Sequence, residues 1–392
     1  WIAIVIWFAL WAMYLSIVNI GQIFYSFGWE TLLLEAGFLA IFLGAGATIP
    51  AWPLILLLRW LVFRVEFGAG LIKLRGDRCW RDLTCLYYHH ETQPMPNPLS
   101  WMFHHLPKPL HRVEVLGNFF AQLVVPFFLF APQPVASVAG AVIVATQAWL
   151  VLSGNFSWLN FITMTIAISA FDDRSLSLFL QVQVPATVPL PLWWQWLIVG
   201  VTITVVVLSY RPALNLVSPH QLMNFSFDPF HLVNTYGAFG SVTKERYEIV
   251  VEGTADVTAG EAGWKEYEFK GKPGDPSKVP RQFAPYHLRL DWLMWFAAME
   301  SPYLHHWFIA FVIKLLEGDR ATVKLLRHNP FPDRPPSAVR ANLYRYRFSS
   351  PEQLRRERVW WVRTLVGEYL PALFFDGAGY PDRLRRYGSS RY

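Results

Sequence analysis

Residues 193–210 read WWQWLIVGVTITVVVLSY, eighteen positions without a charged side chain. A run this long and this apolar is a candidate for a helix that crosses a bilayer, which takes about 20 residues. It also divides the chain. The 210 residues up to its end carry nine Lys/Arg and nine Asp/Glu, whereas the 182 residues after it carry 25 and 19. The whole formal charge of +6 therefore lies in the second part. We expect a polytopic α-helical membrane bundle over residues 1–210, followed by a soluble, mixed α/β domain over residues 211–392. The composition, 54% hydrophobic and only 16% charged against about 25% charged in an average soluble domain, excludes a disordered chain, a small disulfide-stapled domain and a collagen-like fibre.

Working back from that segment, apolar runs at 1–20, 29–49, 50–67, 113–131 and 135–152 give six expected spans with 193–210, and 156–171 is a shorter seventh candidate. The first run has no basic flank before it and does not read as a signal peptide. Glu30, Glu35, Arg59, Arg64 and Glu66 fall inside these runs. Charges there are expected to pair or to line a functional cavity. Pairing that fixes the bundle is the plainer reading. The sharper one is a polar membrane cavity in which Lys73, with Glu66 and His89 nearby, acts as a base or an anion anchor.

The long loop 68–112 holds the only two cysteines, Cys79 and Cys85, and His89, His90, His104, His105 and His111. The cysteine spacing permits either a small disulfide loop or two free thiols. A disulfide would put the loop on an oxidising side, whereas its Lys/Arg content points to the cytoplasm, and the two clues conflict. The CxxxxxC spacing beside His89-His90 is not a standard zinc pattern, so no metal is expected. The prolines between 94 and 109 exclude a regular helix. Interfacial anchoring is the ordinary role for loop histidines. Asp172-Asp173 reads as a helix cap. Sequons stand at Asn155 and Asn224.

In the second part, 246–253 and 264–271 read as paired strands, 290–299, 307–316 and 321–328 as helices, and 341–348 and 359–365 as further strands. Seven arginines between 340 and 363 surround Trp360 and Trp361. No nucleic-acid-binding motif accompanies them. Anionic lipid, an acidic protein face or a salt-bridged strand face would each account for them. No GxSxG, HExxH, P-loop or dinucleotide motif is present, and no cofactor is expected.

Several long stretches resemble one family. GAGLIKLRGDRCWRDLTCLYYHHETQPMPNPLSW, LSGNFSWLNFITM, HLVNTYGAFGSVTKERYEIVVEGT, EYEFKGKPGDPS, PYHLRLDWLMWFAAM, NPFPDRPPSAVRANLYRYRF and WWVR are similar to the lipase maturation factors over roughly residues 11–370. The resemblance implies a multi-span protein of the endoplasmic reticulum membrane, or of the plasma (inner) membrane were the source bacterial. It implies a chaperone-like factor, with no established enzyme activity, whose client is a secreted lipase or other exported protein. Membrane lipids and a membrane complex are further possible partners. The family's loop cysteine pair falls on Cys79 and Cys85, and its NTYGAFGSVTKER and LDWLMWFA blocks fall on residues 234–246 and 290–297. Client contact is accordingly expected at Asn234, Tyr236, Phe239, Trp292, Trp295, Trp360 and Trp361. Cysteines that flank the KPGDP turn in animal members are replaced by Gly271 and Arg281, which leaves the compartment open. A fainter resemblance links the GLIKL stretch to the transmembrane domain of vitamin K-dependent carboxylase, where a catalytic lysine lies in a membrane cavity. Lys73 is the nearest equivalent, and it gives the enzyme alternative, acting on a lipid or a membrane-presented substrate.

Overall fold

The computed structural model describes residues 1–44, 48–178, 180 and 188–374. The expected 29–49 span and the 211–392 domain each run in part over residues outside these. Among the described residues, four helices are long and apolar enough to cross a membrane: Ile2–Ile20, Lys108–Phe130, Val135–Ser153 and Leu192–Val217. The first, α1 (Ile2–Ile20), buries only Leu15 and Val18, as suits a helix solvated by lipid on most faces. Lys108–Phe130 is continuous but irregular, passing from an α-helix into a π turn at Phe120–Val124 and then a 3-10 stretch at Val125–Phe130. Pro126 forces that change, because it lacks the N–H an α-helix would use.

Two further expected spans differ in kind. The helix α2 (Gly28–Ile41) has 14 residues, about 21 Å at 1.5 Å per residue, too short to cross alone. The helix α3 (Trp52–Arg75) has 24 residues and extends past the expected end at 67, so it carries Lys73 on the same rod as Arg59, Arg64 and Glu66. All four of these side chains are buried. Arg64 is ion-paired, as the plainer reading has it, whereas Arg59 meets backbone carbonyls in place of a carboxylate. Arg59 donates to the carbonyls of Ser169 at 2.9 Å and Leu129 at 3.0 Å, and Arg64 pairs with Glu35.

Charge density changes at residue 210, but the chain continues as helix through Tyr210–Val217. The segment after it returns to the bundle. Val233 and Tyr236 belong to the same apolar core as Leu32, Leu61 and Val62. Gly68 is required there, since a Cβ on it would lie 2.4 Å from the Tyr236 carbonyl oxygen. Gly76 and Gly240 meet in the same way, and Asp77 N–H donates to the Gly240 carbonyl at 2.8 Å.

The carboxy-terminal part is built on a four-stranded antiparallel sheet in the order β2-β1-β3-β4, with β1 (Arg246–Thr254), β2 (Lys265–Glu266), β3 (Ala338–Phe348) and β4 (Trp361–Phe374). The strand expected at 264–271 is cut to two residues because Lys272 is drawn inward to pair with buried Glu248 at 2.9 Å. The last strand is longer than expected. The helices Arg289–Ala297 and His306–Leu316 cover one face, where Ile249, Val251, Val339 and Leu370 meet Met294, Phe308 and Val312. The helix expected at 321–328 is a single turn, Arg320–Val323, capped by Asp319. That core also takes in Phe27, Trp29, Met95 and Phe156, so bundle and sheet share one apolar interior.

Two loop expectations change. A short helix, Ser100–His104, forms among the prolines because the Asn97 side chain accepts from Leu99 N–H at 3.0 Å and Ser100 N–H at 2.9 Å. His89, His90 and His111 are buried rather than anchored at an interface. The reading of Asp172 is as expected: its carboxylate caps a short helix by accepting from Ser175 N–H at 3.0 Å.

Candidate functional site

The seam between bundle, loop and sheet encloses a cavity of about 770 Å³. Its lining brings together residues the sequence analysis assigned to different roles: Glu66, Lys73 and His89 from the enzyme alternative, and Tyr236, Phe239, Trp292 and Trp295 from the client surface. Much of the wall is apolar, with Trp29, Trp80 and Phe156 added to those aromatics.

One end is polar, and α3 builds it. Glu66 and Lys73 are seven residues apart, two helical turns, so they project from one face. Lys73 Nζ donates to Asn118 Oδ1 at 2.8 Å and Gln122 Oε1 at 2.9 Å, and its ammonium lies 5.1 Å from the centre of the Trp80 ring. Glu66 accepts from Gln147 Nε2 at 2.6 Å, and Gln147 accepts in turn from Asn160 Nδ2 at 2.6 Å. Amide oxygens can only accept, so Asn118 and Gln122 hold the lysine as a donor. It is thus held as a hydrogen-bond donor at the polar end of the cavity. Among the described residues no nucleophile is arranged with it, and nothing favours the enzyme alternative. His89 packs on Phe239 with ring centres 4.9 Å apart. Burial, then the Lys73 charge, brings its pKa down to about 3, so the imidazole is neutral.

Asn234 lies outside the cavity, in a network with Glu35, Arg64 and Tyr236. The Glu35 carboxylate accepts from Arg64, from Asn234 N–H and Nδ2 at 3.0 Å each, and from Tyr236 OH at 2.7 Å. Arg64 also donates to the Asn234 carbonyl at 2.7 Å. Asn234 is wholly enclosed and cannot meet a partner from this position. Tyr236 is shared: its hydroxyl closes the network while part of the residue lines the cavity.

Trp360 and Trp361 are likewise away from the cavity. Trp361 is buried and stacks on Phe348 at 4.1 Å, and half-buried Trp360 meets the Trp101 ring edge-on at 6.0 Å. With Trp101 Nε1 donating to the Ser349 carbonyl at 2.9 Å, they fasten the loop to the sheet. Trp361 is therefore closed to a partner. The nearby basic cluster is largely a salt-bridged strand face: Arg340 bonds Glu252 at 2.8 Å, Arg363 bonds Glu266 at 2.6 Å and Arg345 bonds Glu245 at 2.8 Å.

Cys79 and Cys85 are joined as a disulfide in the structure. The covalent loop frames Trp80, whose Nε1 donates to the Phe239 carbonyl at 2.8 Å. Further contacts place loop and sheet on one side. Arg246, at the start of β1, donates to the carbonyls of Glu91 at 3.1 Å and Pro94 at 3.0 Å, and to Gln93. Buried Asn155 accepts from Phe283 and Ala284 N–H at 2.9 Å each. Its sequon is therefore structural, whereas Asn224 is exposed.

Sequence reasoning missed Asn118, Gln122, Gln147 and Asn160. Single amides in apolar helices carry no spacing signal; the one clue was that all four interrupt apolar runs.

Comparison with known proteins gives a consistent picture. The family model described as the lipase maturation factor transmembrane domain matches residues 2–178, and that of the lipase maturation factor C-terminal domain matches residues 232–371. The chain is 44% identical to human lipase maturation factor 1 over 415 aligned positions, covering 95% of this chain and 72% of the relative. It is 46% identical to the Bos taurus protein of that name, covering 93% and 71%. Lipase maturation factor 2 of Rattus norvegicus is 30% identical, covering 98% and 71%. No solved structure matches the chain.

Proposed function

We infer the function from one premise: this chain belongs to the lipase maturation factor family. It is an integral membrane protein that assists the folding and maturation of lipases. Identity of 44% over nearly the whole chain to a protein of that name is the observation that carries this reading.

We assign the client contact to the aromatic wall of the seam cavity, at half-buried Phe239 and Trp295, with buried Trp292 as the core residue on which that wall packs. An exported lipase that has not completed its fold exposes apolar surface. An aromatic side chain of about 200 Å², buried at roughly 25 cal/mol per Å², gains about 5 kcal/mol before ordering costs. That is enough to hold a segment and weak enough to release it once the client buries the same surface itself. Phe296 and Met223 are exposed lining residues and give the client its approach. Asn234 reaches the wall only through its contact with Tyr236, and Trp360 and Trp361 are not assigned to client contact.

The Cys79–Cys85 disulfide supports placing the loop, and the sheet bonded to it, on the oxidising side of the membrane. In a eukaryotic cell that side is the endoplasmic reticulum lumen, where secreted lipases fold. The Lys/Arg content of the loop points to the opposite side; we give the disulfide precedence, because such a bridge does not persist in a reducing compartment.

The test is complementation. Cells lacking their own maturation factor, supplied with this chain and a secreted lipase, should release active lipase. Trp295→Ala should reduce that release at unchanged levels of the membrane protein. Equal release with and without the chain would overturn the reading.

A further inference from the structure

Beside the cavity, three potential metal-ligating groups converge where the mechanism above uses none of them. His90 stands on the helix Leu86–Thr92, and His111 and Glu114 on the helix Lys108–Phe119. The last two are three residues apart, hence on one helical face. One ligand atom from each of the three lies within 4.8 Å of the other two.

The hydrogen bonding around them is incomplete in a specific way. Both ring nitrogens of His90 are buried without a partner, as is His111 Nε2. His90 and His111 are each more than nine-tenths enclosed. A buried nitrogen that has lost its hydrogen bond to water and gained none is unfavourable, and a cluster of them calls for an occupant. The two rings face each other with centres 5.7 Å apart and planes 34° from parallel. Glu114 completes the set: one of its oxygens is 3.0 Å from His111 Nδ1, and the other accepts from Trp149 Nε1 at 3.1 Å. The tryptophan thus orients the carboxylate from outside, as partners of metal ligands commonly do.

We propose that His90, His111 and Glu114 form a zinc site. Two imidazoles and one carboxylate, with one position left open, are the donor set of three-ligand catalytic zinc sites. Zinc bonds of about 2.0–2.2 Å bring ligand atoms to roughly 3.5 Å from one another, so the separations here close by rotation of side chains. Three protein ligands leave a fourth position. His90 and Glu114 line the seam cavity, so that position opens into it, where a water molecule or a carboxylate completes the tetrahedron. The ion would tie the disulfide-framed loop to a membrane span and fix one wall of the cavity. The CxxxxxC pattern gave no hint of this, because the cysteines pair with each other and the other two ligands lie more than 20 residues after His90.

The chain, purified in detergent and dialysed against a weak chelator, is titrated with zinc alone and its metal content is measured. The expected result is about one zinc per chain. His90→Ala and His111→Ala should lose it, and exposed His105→Ala should keep it. Trp149→Phe, which frees the carboxylate without removing a ligand, should weaken binding by about tenfold or more. Cobalt loaded into the unaltered protein gives a reading that needs no variant to fold: intense visible bands of four- or five-coordinate cobalt support the site. Zinc content at background, cobalt bands of the octahedral aqua ion, or full retention of zinc by His111→Ala would each overturn it.

Discussion

Replacing Glu35 with alanine is expected to destabilise the protein by more than any surface change, because of what the carboxylate holds. Its oxygens accept from the Arg64 guanidinium, from Asn234 N–H and Nδ2 and from Tyr236 OH. Arg64 is 1% exposed. Without Glu35 the guanidinium keeps only the Asn234 carbonyl, at 2.7 Å, and stays buried. Breaking a buried pair from one side costs about 3–5 kcal/mol. At about 2 °C per kcal/mol for a protein of this size class, the melting temperature should fall by roughly 6–10 °C. Intrinsic tryptophan fluorescence of the detergent-purified protein reads the transition. The double substitution Glu35→Leu with Arg64→Met removes both charges. It should recover about half of the loss, leaving mainly the unmatched Asn234 and Tyr236 donors at roughly 1 kcal/mol each. The network joins α2 and α3 to the segment that leads into the sheet, so the same variants test whether the two parts are one body. A Glu35→Ala protein that melts within about 2 °C of the unaltered one, or a double variant as unstable as the sum of the singles, would refute the reasoning.

Three shorter predictions follow from other contacts. Gly68→Val should destabilise by at least about 1–3 kcal/mol, because its Cβ would meet the Tyr236 carbonyl oxygen at 2.4 Å; an unchanged melting temperature would show that the approach is not close. His287 accepts from Trp29 Nε1 at 3.3 Å, and burial lowers its pKa despite the Glu30 carboxylate nearby. Its folded pKa is below the unfolded value of about 6.5, so its contribution is full above that pH and is lost as pH falls below it. Thermal melts between pH 7.5 and 5 should therefore fall less steeply for His287→Gln than for the unaltered protein, and parallel curves would contradict this. Cys79→Ser with Cys85→Ser opens a loop of sequence separation six, for which the chain-entropy estimate is about 2 kcal/mol; the variant should melt lower and become insensitive to reductant, and a melt unaltered by reductant in the parent would speak against the bridge.

The parts legible in the sequence were those that depend on local pattern. The apolar runs gave the helices, and the β-branched and aromatic residues of 246–253 and 341–348 gave β1 and β3, although β1 is covered on both faces and so lacks a clean alternation. The charges in the apolar runs were correctly read as costly, but their partners were not readable. Arg64 finds Glu35 on the neighbouring helix and Asn234 170 positions later. Lys73 finds two amides about 45 residues on. Long-range pairing of this kind leaves no periodic mark. The aromatic residues assigned to client contact on family resemblance were assigned without burial information. Trp361 is a core residue, whereas Trp295 lines the cavity. Composition also suggested a break at residue 210, where charge density changes. Packing also carries residues 233–236 back into the bundle, where Asn234 and Tyr236 complete the hydrogen bonding of the Glu35–Arg64 pair.

The most direct test of the account is site-specific photo-crosslinking in living membranes. A photo-reactive side chain at Trp295, in the cavity wall, and another at Ile203, exposed on the span Leu192–Val217, are compared for capture of newly made lipase. Capture at 295 and not at 203 is the predicted result; capture at neither, or equal capture at both, would contradict a cavity that receives the client.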